Sequence, residues 1–464
     1  MVFSTPLFLF FYLIFLLLLY YVSPVRVRNL VLLVGSLFFY YWGEQSYTVI
    51  MLLSIGIDYI HGLIVDRCKR RGNDLGARVA VSSSILFNLA ILFFFKYWDF
   101  VARSLQTMDV GFLPVLNISL PIGISFYTFQ TMSYTIDVYR GDSKVQKNIL
   151  HFGTFVALFP QLIAGPIIKY KDMDEQLEYR NHSVEKFSSG VCRFFVGLAK
   201  KLLLANNLGQ LWDVYKNMPL EDLTFIGAWM GILAFSFQIF FDFSGYSDMA
   251  IGLGRMFGFE FMENFHYPYI SKSVTEFWRR WHISLSTWFR EYLYIPLGGN
   301  RCSKGRWMFN LLIVWAATGI WHGASWNYLL WGLYFFFLLL LEKLFLGRWI
   351  KKLPGILQHL YLIVLVLFSW TIFVLEDLSQ LRAYLSVMTG VYRAPLLDDQ
   401  TLYYLRSFLP IFLVAIIGST PFVVGLWKKM NSLVVKVVVI LCGMILCTAY
   451  VVASTYNPFL YFRF

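Results

Sequence analysis

Residues 238–271 read QIFFDFSGYSDMAIGLGRMFGFEFMENFHYPYIS, residues 275–301 read TEFWRRWHISLSTWFREYLYIPLGGNR, and residues 320–332 read IWHGASWNYLLWG. Polar and ionisable side chains, His282 and His322 among them, stand here between tryptophans and phenylalanines in a chain that is otherwise apolar. Such side chains are costly in lipid and mark functional positions by default. What surrounds them decides the fold.

Of 464 residues, 58% are hydrophobic, 19% aromatic and only 14% charged, with a mean hydropathy of +0.61. A soluble chain of this length would divide into roughly two or three domains; this composition is that of an all-α, polytopic integral membrane protein. The net charge of +12 lies in short loops between apolar runs, where the positive-inside rule places it. It therefore reports topology, with the lipid bilayer as partner and no nucleic acid. Cys68, Cys192, Cys302, Cys442 and Cys447 show no CxxC pair and no histidine at ligand spacing, so neither a disulfide framework nor a metal site is expected. The apolar run 2–22 has no basic residue before it and no small-residue cleavage site. It is read as a membrane helix and not as a removed signal.

Spans are expected at residues 8–22, 30–42, 48–65, 80–95, 120–136, 194–205, 225–241, 331–346, 357–374, 405–426 and 434–452. Basic turns at Arg26 and Arg28, in RCKRRGNDLGAR (67–78), at Arg140, Lys144 and Lys147, at Arg348, Lys351 and Lys352, and at Lys428 and Lys429 alternate with the outer loops. That alternation gives about eleven or twelve crossings with the N-terminus outside. Two features interrupt the pattern. In FVALFPQLIAGPIIKY (155–170) the apolar run is broken by Pro160, Gly165 and Pro166, which is read as a re-entrant hairpin shaping a substrate cavity, the alternative being a kinked helix. Lys200 and Lys201 lie inside a span and must snorkel or face a polar interior.

Between residues 244 and 306 no run is long and apolar enough to cross. On one helix Trp278, His282, Leu285 and Phe289 would share a face, with Arg279, Ile283, Ser286 and Arg290 on the next. The stretch reads as an amphipathic or re-entrant helix at the cytoplasmic surface. PLGGNRCSKGR (296–306) then offers a Gly-Gly pair and three basic side chains, either to wrap the phosphates of a cytosolic donor or merely to make a tight turn. About fourteen apolar residues, 307–320, lead into Trp321, His322 and Gly323, too few to carry His322 to the far surface. A neutral histidine held part-way through the bilayer is a suitable base for deprotonating a hydroxyl. A thioester donor needs no enzyme nucleophile, and no GxSxG motif is present, so direct base-assisted attack is expected, with relay through a Cys or Ser left open.

The three quoted stretches, together with LPIGISFYTFQTMSYTIDVYRGD (120–142) and FPQLIAGPIIKYKD (159–172), resemble the membrane-bound O-acyltransferases (MBOAT), specifically their alginate O-acetyltransferase branch, AlgI. The resemblance covers about residues 1–345. It implies a single membrane-embedded domain, with a catalytic core at about 120–345 and C-terminal membrane helices at 346–464, in which re-entrant and amphipathic helices accompany a ring of spans around a central tunnel. The family's invariant histidine maps onto His322. His282 falls where animal members of the wider family carry an asparagine, which implies that it polarises donor or acceptor. Trp278, Arg279, Arg280, Asn264, Arg301, Trp321 and Asp242 are the further donor-binding or cavity candidates, with the arginines assigned to donor phosphates.

The same resemblance implies acetyl-CoA as donor substrate with no bound cofactor, and a bacterial inner (plasma) membrane location. Its implied partners are a secreted or membrane-anchored SGNH-type acetyltransferase and an exopolysaccharide acceptor. The D-alanyl transfer branch, DltB, shares FSGYSDMAIG and the RWH motif but takes its acyl group from a carrier protein; MENFHYPYIS and PLGGNR look more like AlgI. Two readings from other classes are a solute transporter, disfavoured by the lack of internal repeats, and a non-catalytic scaffold that recruits a secreted enzyme.

Overall fold

Apolar runs of this length can satisfy their backbone polar groups in lipid only as helices. The computed structural model describes residues 1–453 other than 110, 112 and 164, together with Tyr456, and every regular element among them is helical. Among the described residues, seven stretches are long and apolar enough to cross a bilayer: Val25–Arg70, Asp74–Gln106, Phe225–Met256, Trp326–Ile350, Gly355–Val374, Asp399–Gly418 and Val434–Ala453. This is fewer than the crossings expected, for physical reasons. Val25–Arg70 contains two helices, and helices interrupted by polar side chains fall short of a continuous apolar length.

The chain forms two compact units, residues 1–194 with 247–262, and residues 195–246 with 263–464. In the first, α1 (Leu13–Val22), α2 (Arg28–Glu44), α3 (Thr48–Arg70), α4 (Asp74–Leu92), α5 (Ile124–Arg140) and α6 (Ile149–Ala157) pack together. A polar seam joins three of them: Asp58 accepts from Ser84 Oγ at 2.6 Å and Asn88 Nδ2 at 2.7 Å, while Thr131 Oγ1 donates to Asn88 Oδ1 at 3.0 Å. Such bonds hold helices together where burial of apolar surface gives no drive. The proline-bearing break follows α6. The helix stops at Ala157, and the backbone beyond it, apart from one short turn at Phe159–Leu162, is irregular. Residues 158–163 and 165–170 are buried, as non-helical backbone at membrane depth must be, and the kinked-helix alternative is excluded.

α7 (Val184–Ala199) and α8 (Phe225–Met256) contribute residues to both units. α8 continues fifteen residues past the expected end at residue 241, straight through FSGYSDMAIGLGRM. Its polar residues are compatible with a buried helix because they are answered by partners. Lys201, in the helical turn Lys200–Ala205, lies 2.7 Å from Asp242, with both side chains at most 4% exposed. In the first unit Arg193 pairs with Asp248 at 2.6 Å. Asp242 is therefore the counter-ion of Lys201. Lys201 faces the interior and does not snorkel.

The second unit is built on α9 (Val274–Arg280), α10 (Ile283–Phe289), α11 (Lys304–His322), α12 (Trp326–Leu341) and α13 (Gly355–Val374). Small residues let α11 and α12 approach backbone to backbone. A Cβ on Gly319 would strike the Tyr328 carbonyl, and one on Gly332 would strike that of Trp315 and lie 3.2 Å from Gly319 Cα. Replacing Gly332 with Val is expected to destabilise the protein by at least about 2 kcal/mol, read as a lower melting temperature in detergent. Gly56→Ala, with open space around it, is the neutral control.

Candidate active site

The reading of residues 278–289 as one amphipathic helix is not what the chain does. α9 ends at Arg280, and His282 adopts the left-handed conformation, φ 43° and ψ 56°, before α10 begins at Ile283. A histidine at positive φ is strained and persists only when its surroundings hold it there. Asn264 supplies the hold. Its carbonyl accepts the Ile283 N–H at 2.9 Å, and its Oδ1 accepts the Ser284 N–H at 3.2 Å and the Ser284 hydroxyl at 2.9 Å. His282 Nδ1 lies 3.1 Å from that same Oδ1. Because Oδ1 accepts a backbone N–H, it is the amide oxygen, so Nδ1 carries the proton and Nε2 is left as the ring's acceptor.

His282 is 1% exposed and stands against Phe243, ring to ring 4.7 Å. Burial, and then the neighbouring His322, push its pKa well below the usual histidine range, which keeps it neutral. It is thus a buried residue and not part of a surface helix. Asn264→Ala would strand the Nδ1–H and the Ser284 donors, with an expected loss of about 1–3 kcal/mol measurable by thermal unfolding.

His322 is the last residue of α11, which runs nineteen residues because the Lys304–Arg306 turn belongs to it. At about 1.5 Å per residue the helix is about 28 Å long. His322 is 5% exposed and meets Trp331 at 4.9 Å, Trp321 at 5.1 Å and Phe373 at 5.3 Å, all edge to face. Trp321 also faces His282 at 6.1 Å, so it neighbours both imidazoles. The aromatic wall continues from Trp331 to Trp278 at 5.6 Å, and from Trp278 to Trp315 at 4.7 Å and Phe335 at 4.9 Å. Trp278 Nε1 is buried without a hydrogen-bond partner. Asn327 anchors the wall by donating to the Ile372 and Phe373 carbonyls at 3.2 and 2.8 Å.

The candidates Trp278, Arg279 and Arg280 on α9, and Arg301 beyond α10, separate. Trp278 joins the wall. Arg280 is held by Glu276 at 2.9 Å and by the His266 carbonyl at 3.2 Å, while Arg279 is exposed and lies near Lys343. Arg301 is exposed and does not line the adjacent pocket. That pocket, about 490 Å³, is lined by Tyr294, Asn300, Cys302, Lys304, Trp307 and Lys343. It opens at the N-terminus of α11, where unpaired N–H groups and the helix dipole favour anions, and two lysines line it. Gly298 and Gly299, at φ 107° and 56°, give the loop its turn.

Lys343 lines this pocket and was not among the candidates read from the sequence; a lysine closing an apolar helix was the available signal. Its neighbour Glu342 was missed too. That carboxylate accepts the Val274 and Thr275 N–H groups at 2.7 and 2.9 Å and fixes the start of α9.

Fold and site define a multi-pass membrane protein with two buried histidines set in a tryptophan-rich wall. The chain belongs to the membrane-bound O-acyltransferase family, whose model matches residues 36–379, and it is an O-acyltransferase, as the motifs indicated. It is 44% identical to the probable alginate O-acetylase AlgI of Azotobacter vinelandii, over 82% of this chain and 76% of that one. It is equally 44% identical to that of Pseudomonas aeruginosa, over 82% and 73%. The peptidoglycan O-acetyltransferase of Helicobacter pylori is 32% identical over 84% of this chain and 80% of its own.

Proposed function

We propose that this enzyme takes acetyl groups from acetyl-CoA in the cytosol and passes them across a bacterial inner membrane for O-acetylation of an extracellular or periplasmic polysaccharide. His322 is the general base. The observation that carries this reading is its place at the end of α11, buried among Trp321, Trp331 and Phe373. There a neutral imidazole accepts the acceptor's hydroxyl proton as the oxygen attacks the thioester carbonyl. The C–O bond forms, the C–S bond breaks, and the departing thiolate takes the proton back. His282, its Nδ1–H committed to Asn264, assists through Nε2 by accepting a hydrogen bond from the acceptor or from His322.

The lysine pocket supports a long phosphorylated donor. Trp307, on its wall, and His322 are fifteen residues apart on one helix, about 22 Å at the helical rise. A donor with its phosphates at Lys304 and Lys343 must carry its acyl group on a flexible arm of that reach. Basic turns on alternate sides support an N-terminus outside and the pocket facing the cytosol. The acceptor polymer is an exopolysaccharide such as alginate, reached through a secreted or membrane-anchored SGNH-type partner; the Helicobacter relative's name makes peptidoglycan the comparison polymer. The test is steady-state transfer by a Lys304→Met, Lys343→Met variant. KM for acetyl-CoA should rise at least about tenfold with kcat little changed, and an unchanged KM would remove the donor from this pocket.

A further inference from the structure

A second pocket, about 440 Å³, lies in the first unit and is lined by Asp66, Lys69, Arg70, Ser143, Lys144 and Lys147, among others. Its shape follows from the end of α5. Gly141 takes φ 80°, its N–H donates to the Val138 carbonyl at 3.2 Å, and the Asp142 N–H donates to the Asp137 carbonyl at 2.9 Å. This is a Schellman cap, and it turns residues 143–147 back toward the last turn of α3. The Tyr59 hydroxyl then pins the Lys147 carbonyl to α3 at 2.6 Å.

The side chains are unevenly committed. Arg70 pairs with Asp66, and Lys69 Nζ donates to the Tyr139 carbonyl. Lys144 and Lys147 form no ion pair within 4 Å among the described residues, although the Asp174 carboxylate lies within Coulombic reach of Lys144. Ser143 Oγ is shielded from solvent and has no hydrogen-bond partner. Two ammonium groups outside any close ion pair and an orphan hydroxyl on one small cavity are the donor set that a phosphate requires.

The setting indicates the source of that phosphate. α3 belongs to a membrane-crossing stretch that ends at Arg70, so the pocket sits where a spanning helix leaves the bilayer, at headgroup level. Ile149 and Leu150, just beyond Lys147, are 48% and 39% exposed and offer apolar contact to an acyl chain. Basic pockets between membrane helices hold anionic headgroups in this way. We infer that this pocket binds a phosphate group, carried by an anionic phospholipid, between the ends of α3 and α5.

The test is direct binding of phosphatidylglycerol, with phosphatidylcholine for comparison, to the full-length protein in detergent by native mass spectrometry. A soluble arm uses glycerol 3-phosphate. A Lys144→Gln, Lys147→Gln variant should bind phosphatidylglycerol at least about tenfold more weakly, while Lys351→Gln, Lys352→Gln on another basic turn should not. Glycerol 3-phosphate that displaces the lipid, and is itself lost in the pocket variant, would support the phosphate site with a soluble source. Equal weakening in both variants, or no preference over phosphatidylcholine in the unaltered protein, would overturn it.

Discussion

Replacing His322 with glutamine is expected to lower acyl transfer by about two to four orders of magnitude, the usual contribution of a general base, while the protein still accumulates in the membrane. Glutamine nearly fills the space between Trp321, Trp331 and Phe373 and keeps hydrogen-bonding capacity, but it cannot take a proton. His322→Ala should be equally inactive and somewhat less stable, because it leaves a cavity in that wall. His282→Gln should cost less than His322→Gln, since His282 acts on the reactants through an accepted hydrogen bond. A scaffold would tolerate all three changes, and a transporter would keep solute flux in proteoliposomes.

The second large effect is on stability. Lys201→Met is expected to destabilise the protein by about 3–5 kcal/mol, because it strands Asp242 without its counter-ion. The two side chains are 2% and 4% exposed and 2.7 Å apart, so solvent does little to soften the loss. Adding Asp242→Leu should restore most of the stability, and with it the transfer activity, since apolar replacements of buried pairs are commonly neutral or better. The melting temperatures of the single and double variants in detergent check this. A neutral single variant would show that Asp242 faces water, returning it to the cavity.

The membrane-helical class and the buried position of His322 at a helix end were legible because both rest on local pattern: long apolar runs, and an ionisable residue ending one of them. What the sequence concealed depends on partners distant along the chain. The true end of α8 at Met256 could not be read, because Asp242 and Asp248 look like loop residues until Lys201 and Arg193 are placed against them. The break at His282 is imposed by Asn264, eighteen residues upstream, and periodicity alone draws a continuous helix through it. The start of α9 is held by Glu342, sixty-seven residues downstream of Thr275. The arginines drew attention as phosphate ligands by their type. The pocket beside α11 is lined by Lys304 and Lys343, a meeting that only the packing of α11 on α12 brings about.

The central claim is that acyl transfer across the bilayer depends on His322. Acetyl-CoA labelled in its acetyl group is supplied to the cytosolic face of inverted vesicles containing the enzyme, its partner and a polysaccharide acceptor enclosed in the lumen. The account predicts labelled polymer on the far side with the unaltered enzyme, and none with the His322→Gln variant at equal abundance. Equal labelling by the two proteins would contradict it.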